Sequence, residues 1–159
     1  MDLSKLAPIQ KELDDRILKE HGLKGQELIK KKTVALLTEL YECVNDARFF
    51  KYWSSNQAKK ATTLEEYVDT MHFAISIAND VGYAEHEYID PGHMDVNDLV
   101  IGLTNVITLL PENKIHRHVG LMFNFLIKLG ELLGYDQAEI EAAYLEKNKE
   151  NHTRQDDGY

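Results

Sequence analysis

The chain has 159 residues and a formal net charge of −9, with 28% charged and 43% hydrophobic residues, the balance of one ordinary globular domain with room for a core. A net negative chain lacks the basic face that duplex DNA or an anionic membrane requires, so neither is expected as a partner. Its one cysteine, Cys43, excludes an internal disulfide; with no 18-residue apolar run and no leader-like layout in MDLSKLAPIQKELDD, the expected location is the cytoplasm.

Hydrophobic residues recur at helical period through most of the chain, and only three prolines interrupt it. The pattern predicts an all-α bundle of about six helices in one domain, 1–159. The segments are Leu3–Lys19, Gln26–Tyr52, Leu64–Val81, Val96–Leu109, Lys114–Leu133 and Gln137–Asn151. In the second, Val34, Leu37, Leu40, Tyr41 and Val44 are expected to pack, while Glu39, Glu42 and Asp46 share a flank. The third carries an apolar stripe of Val68, Met71, Ile75 and Ala78, widened by Tyr67, Ala74 and Ile77. What it leaves is a narrow polar strip: Glu66, Asp69, His72, Ser76 and Asn79. An apolar helix with a thin acidic strip is usually buried in a bundle, the strip lining a cavity.

Punctuation agrees with these limits. Thr63-x-x-Glu66 has the form of a capping box, Asp95 and Asp136 precede their segments as N-caps, and Gly134 stops the fifth. Residues 82–93, containing Pro91-Gly92, form the evident loop. The tail HTRQDDGY is polar and expected to be mobile until a ligand orders it.

Two acidic dyads carry the chemistry: Glu39-x-x-Glu42 and Glu66-x-x-Asp69. Residues three apart lie on one helix face, so each dyad aims two carboxylates one way. If the two helices pack, four like charges converge in a half-buried volume, which is unfavourable unless cations neutralise them. Oxygen ligands of this kind suit Mg²⁺ or Mn²⁺. The plain alternative is two solvated faces, since Glu-x-x-Glu alone is common. A di-iron centre needs two Glu-x-x-His pairs, and the chain offers only Asp69-x-x-His72. The run Ala47-Arg-Phe-Phe-Lys-Tyr-Trp53 is either an aromatic helix end or a base-stacking and phosphate-contacting element.

Beyond the dyads, several motifs together resemble the dimeric, all-α dUTP diphosphatases, a branch of the MazG-like all-α NTP pyrophosphohydrolases. They are Ile9-Gln10-Lys-Glu-Leu13-Asp14, Phe50-Lys51-Tyr52-Trp53, Glu66-x-x-Asp69-x-x-His72-Phe73 and Lys147-Asn148-x-x-Asn151-x-x-Arg154-Gln155-x-x-Gly158-Tyr159. Residues 82–135 share only helical character with that family.

The resemblance implies a four-helix metal-binding core in which Glu39, Glu42, Glu66 and Asp69 hold more than one Mg²⁺, with Mn²⁺ as substitute. One first-dyad carboxylate, Glu39 or Glu42, would take the proton from water. Gln10 and Asp14 would read the uracil edge, Trp53 and Asn151 would sit near base or sugar, and His72 would lie under the deoxyribose. Lys51, Lys147, Arg154 and Tyr159 would contact phosphates as residues 147–159 close. The implied reaction takes dUTP, with dUDP as a further substrate, to dUMP and pyrophosphate, in a homodimer. The competing readings are a related nucleotide pyrophosphohydrolase with another base preference, such as dCTP, and a non-enzymatic helical dimer.

Overall fold

A computed structural model describes residues 2–112 and 116–158. Six helices are present among them and no strand: α1 (Leu3–Glu20), α2 (Ile29–Ala47), α3 (Thr63–Asp80), α4 (Val96–Leu109), α5 (His116–Leu132) and α6 (Gln137–Asp156). The expected all-α bundle is therefore the fold.

Helix α3 occupies the centre, touching α1, α2, α5 and α6. Its expected stripe is the core: Tyr67, Met71, Ala74, Ile75, Ile77 and Ala78 are fully buried. Against it lie Leu36, Leu40 and Cys43 of α2, and the α4–α5 pair supplies Leu99, Leu103, Ile107, Met122, Phe123 and Leu126. Two residues expected to pack on α2 do not: Val34 is 64% exposed and Tyr41 49% exposed. The buried side of α2 is instead set by Thr33, Leu36, Leu40, Cys43 and Ala47.

The α3–α5 contact is close. Tyr67 donates its buried hydroxyl to the Leu126 carbonyl at 2.9 Å. A Cβ at Gly130 would lie 2.8 Å from that hydroxyl oxygen and 3.0 Å from the ring. Only glycine fits there without displacing a buried ring.

Helix α2 begins at Ile29 rather than Gln26, and its end and the cap of α3 differ from expectation for local reasons. Helix α2 ends at Ala47 rather than Tyr52, because Arg48 turns left-handed (φ 65°) and its N–H bonds the Val44 carbonyl. The turned chain is held by Asp46, which pairs with the Lys60 ammonium and accepts from the Thr62 hydroxyl, while its carbonyl takes the Lys60 N–H at 3.0 Å. The Thr63–Glu66 capping box does not form. Thr62 is the N-cap without a side-chain cap, and the Thr63 hydroxyl goes to the Lys60 carbonyl at 2.8 Å. The capping box present is Asp136 with Glu139, and Asp95 caps α4 as expected.

Helix α6 continues through most of the polar tail to Asp156. Arg16 of α1 holds it, donating to the His152 carbonyl at 3.0 Å and to the Asp156 carboxylate at 2.6 Å. Arg154 adds an i,i+4 pair with Glu150 in the last turns, where a cation also suits the helix dipole. The tail is thus helical through ion pairs rather than apolar burial. The start of the fifth segment at Lys114 lies outside the described residues.

Candidate functional site

A cleft of about 280 Å³ runs between α1, α2, α3 and α6. Gln10, Leu13, Asp14 and Ile17 enter from α1, Glu39 from α2, Asp69, His72, Phe73 and Ser76 from α3, and Asn151, Arg154 and Gln155 from α6. The polar strip of α3 does line a cavity. A more open hollow, lined by Glu42, Asp46, Lys60 and Glu66 among others, lies on the other side of the acidic group.

Glu39 of the cleft and Glu42 and Glu66 of that hollow each bring a carboxylate oxygen within 4.8 Å of the others. None of the three side chains has a hydrogen bond or cation partner within salt-bridge distance among the described residues. Burial, then the charges of Asp69, Glu42 and Glu66, push the Glu39 carboxyl up from 4.5 to about 7. Glu66 is raised too, by burial and then by Glu42 and Asp69. Uncompensated oxygens gathered in this way are a donor set that fits a hard divalent cation.

The fourth predicted ligand behaves differently. Asp69 lies beside Glu39 in the cleft, but its carboxylate is 3.0 Å from the Lys147 ammonium. Lys147, only 7% exposed, also reaches Glu65 at 2.6 Å and Glu150 at 3.5 Å. Burial works against that charge, and the contacts with Glu65 and Asp69 overcome it, raising the pKa. Glu65 was invisible in the sequence pattern because it lies off the strip, next to Glu66. Only its partner from α6, 82 residues away, gives it a role.

The other end of the cleft is a closed hydrogen-bond network. The Gln10 amide nitrogen donates to Asp14 at 2.8 Å, and its oxygen lies 2.7 Å from His72 Nδ1 and accepts from the Tyr144 hydroxyl at 2.7 Å. Ser76 donates to the second oxygen of Asp14 at 2.7 Å, and the Lys32 ammonium stands 3.9 Å from it. Burial raises Asp14, opposed by Lys32, Ser76 and Gln10. The His72 ring stacks on Tyr144 at 4.0 Å between centroids, and burial depresses its pKa to about 4. It is therefore neutral at pH 7. Sequence reasoning missed Tyr144 and Lys32. Tyr144 precedes Asn148 and Asn151 by one and two turns, a spacing that placed it on the same face of α6.

Asn151 and Arg154 line the cleft as expected. Lys51 and Trp53 do not. They line a separate surface hollow with Arg48, Phe50 and Asn45, where Lys51 donates to the Asn45 side chain at 2.8 Å and Trp53 is 64% exposed. Tyr159 lies outside the described residues. No described helix is long and apolar enough to cross a membrane.

A family model described as dUTPase matches residues 2–159, essentially the entire chain. A search of curated proteins returned no match. All-helical architecture, a carboxylate cluster suited to a divalent cation and a whole-chain family match agree: the chain belongs to the dUTPase family, whose activity is that of a dUTP diphosphatase.

Proposed function

We propose that this protein hydrolyses dUTP to dUMP and pyrophosphate in a Mg²⁺-dependent reaction, with Mn²⁺ as a substitute and dUDP as a further substrate. The observation that carries the reading is the triad of Glu39, Glu42 and Glu66, whose member Glu39 opens with Asp69 onto a cleft with a polar, hydrogen-bonded far end. An acidic protein that binds a polyphosphate needs cations between the two negative partners.

Glu39, Glu42, Glu66 and Asp69 are the residues that would hold the metal. Bound there, divalent ions would neutralise the phosphate chain and lower the pKa of an attacking water. Glu39 is the proton acceptor we assign. Of the two first-dyad carboxylates it is the one that lines the cleft, where a proton acceptor has to meet the attacking water. Asn151 and Arg154, one turn apart on α6, would meet the nucleotide from the side opposite α2. Lys147 moves from Asp69 to phosphate in this reading, and residues 147–159, including Tyr159, close over the substrate.

Gln10, Asp14 and His72 form the polar end that takes base and sugar. Lys51 and Trp53 lie on a different surface, so their part in catalysis requires movement of residues 48–62 or a second copy of the chain. The homodimer that the family resemblance implies fits the latter. A cytoplasmic setting suits the single reduced Cys43, which is buried.

The deciding experiment is pyrophosphate release from dUTP, dCTP, dTTP and UTP with and without Mg²⁺. Preference for dUTP with metal is expected. Preference for another nucleotide overturns the base assignment, and no metal-dependent turnover with any of them overturns the enzyme reading.

A further inference from the structure

Gln10 stood in the sequence as a reader of the base, yet it is 4% exposed and its amide is engaged at both ends. The carboxylate of Asp14 accepts only, so the amide NH₂ faces it and the amide oxygen faces His72 and Tyr144. That oxygen carries no proton. His72 Nδ1, 2.7 Å away, must therefore be the donor, and the neutral ring then has a bare lone pair on Nε2.

His72 is 5% exposed and lines the cleft, and its Nε2, itself buried, has no hydrogen-bond partner within the protein. A buried acceptor left unpaired is costly and rare. Asp14 accepts from both Gln10 and Ser76, so its oxygens are already engaged. The stacking of His72 on Tyr144 prevents the ring from turning to exchange its nitrogens.

We propose that Gln10 is a positioning residue: held by Asp14 and Tyr144, it fixes the tautomer of His72 so that Nε2 accepts a hydrogen bond from the nucleotide. This rests on the nucleotide reading above. The ligand group is a donor, which in a deoxyuridine nucleotide is the 3′-hydroxyl or the imide N3–H. A group offering only acceptors at this point, such as a carbonyl oxygen, finds no complement. Gln10 thus acts through His72 rather than by touching the base with its own oxygen.

Two measurements test this. In ¹⁵N NMR of the ligand-free protein with labelled histidine, His72 is expected to show a protonated Nδ1 and an unprotonated Nε2. Gln10→Met should mix the tautomers. In calorimetric titrations with dUMP, 2′,3′-dideoxy-UMP and N3-methyl-dUMP, the wild type should bind one of the two analogues about tenfold more weakly than dUMP, because the lone pair loses its donor. The analogue affected identifies the group. In Gln10→Met that penalty should shrink to about threefold or less.

A protonated Nε2 in the wild type, an unchanged tautomer in Gln10→Met, no penalty for either analogue, or an equal penalty in both proteins each overturns the proposal. The wild-type spectrum and analogue series decide the matter even if Gln10→Met does not fold. Failure of dUTP hydrolysis with a correct His72 tautomer overturns the proposed reaction and leaves the tautomer assignment standing.

Discussion

The two ends of the cleft are built on opposite terms. At the α2–α3 end, three carboxylates gather with no cation within salt-bridge distance of them among the described residues. At the α1–α6 end, Gln10, Asp14, His72, Ser76 and Tyr144 satisfy one another almost completely. The first end sits on helices that pack through Leu36, Leu40, Met71 and Ile75, and it gains by binding something positive. The second is already set before a ligand arrives, so little ordering remains to oppose binding. Loss of a residue should therefore cost function without stability at the first end, and stability at the second.

The largest expected effect is at the acidic end. Glu42→Gln should lower dUTP hydrolysis on the order of 10³-fold, about 4 kcal/mol of transition-state stabilisation, while the thermal midpoint of the metal-free protein does not fall. A joint loss of midpoint and activity would erase the contrast. Between the ends stands Lys147. Lys147→Met removes the pairs to Glu65 and Asp69 and should cost about 2 kcal/mol in urea unfolding, together with a raised KM.

At the satisfied end, Ser76→Ala strips one donor from Asp14 and should destabilise by about 1 kcal/mol, with kcat nearly retained. A neutral result in chemical denaturation would show that Asp14 is less dependent on its partners than their geometry indicates.

The smallest effect is a pH trend. Glu39 titrates at about 7 in the fold against 4.5 when free, for the crowding given above. A raised pKa contributes stability fully present below pH 4.5 and lost as the pH rises through about 7. His72 works the other way: its value falls from 6.5 to about 4, so its contribution is present above 6.5 and lost as the pH falls through about 4. Subtracting one protein's curve from the other separates the two. The stability of Glu39→Gln relative to wild type, measured without metal, should rise between pH 4.5 and 7. A flat difference would mean that Glu39 is not crowded.

Much of this is legible in the sequence. Helix α4 runs Val96–Leu109 as its periodicity predicts, and the buried stripe of α3 follows the sequence residue for residue, because apolar spacing and central position agree. The dyads were legible for the same reason: three-residue spacing fixes a face whatever packs against it. The end of α2 was not, since a left-handed Arg48 has no local signature of the kind a glycine provides. Asp46 is also tied to Lys60 and Thr62 across a 14- to 16-residue gap. Nor was the wiring of the polar end legible. Gln10 reaches His72 across 62 positions and Tyr144 across 134, and no periodicity encodes such a meeting. Lys147 was placed in the site by motif, but its resting partner Glu65 needed the three-dimensional arrangement.

The close approach at Gly130 bears on how such a site can be retuned. With the Tyr67 hydroxyl seated on the Leu126 carbonyl and no room for even a methyl group opposite, α3 cannot slide along α5. Glu66 and Asp69 are therefore bolted to the chassis, like the fixed jaw of a vice. Any variant that accepts a larger or smaller nucleotide has to move the other jaw, made of α1 and α6, joined by the Tyr144–Gln10 bond and the polar clasp of Arg16 on His152 and Asp156.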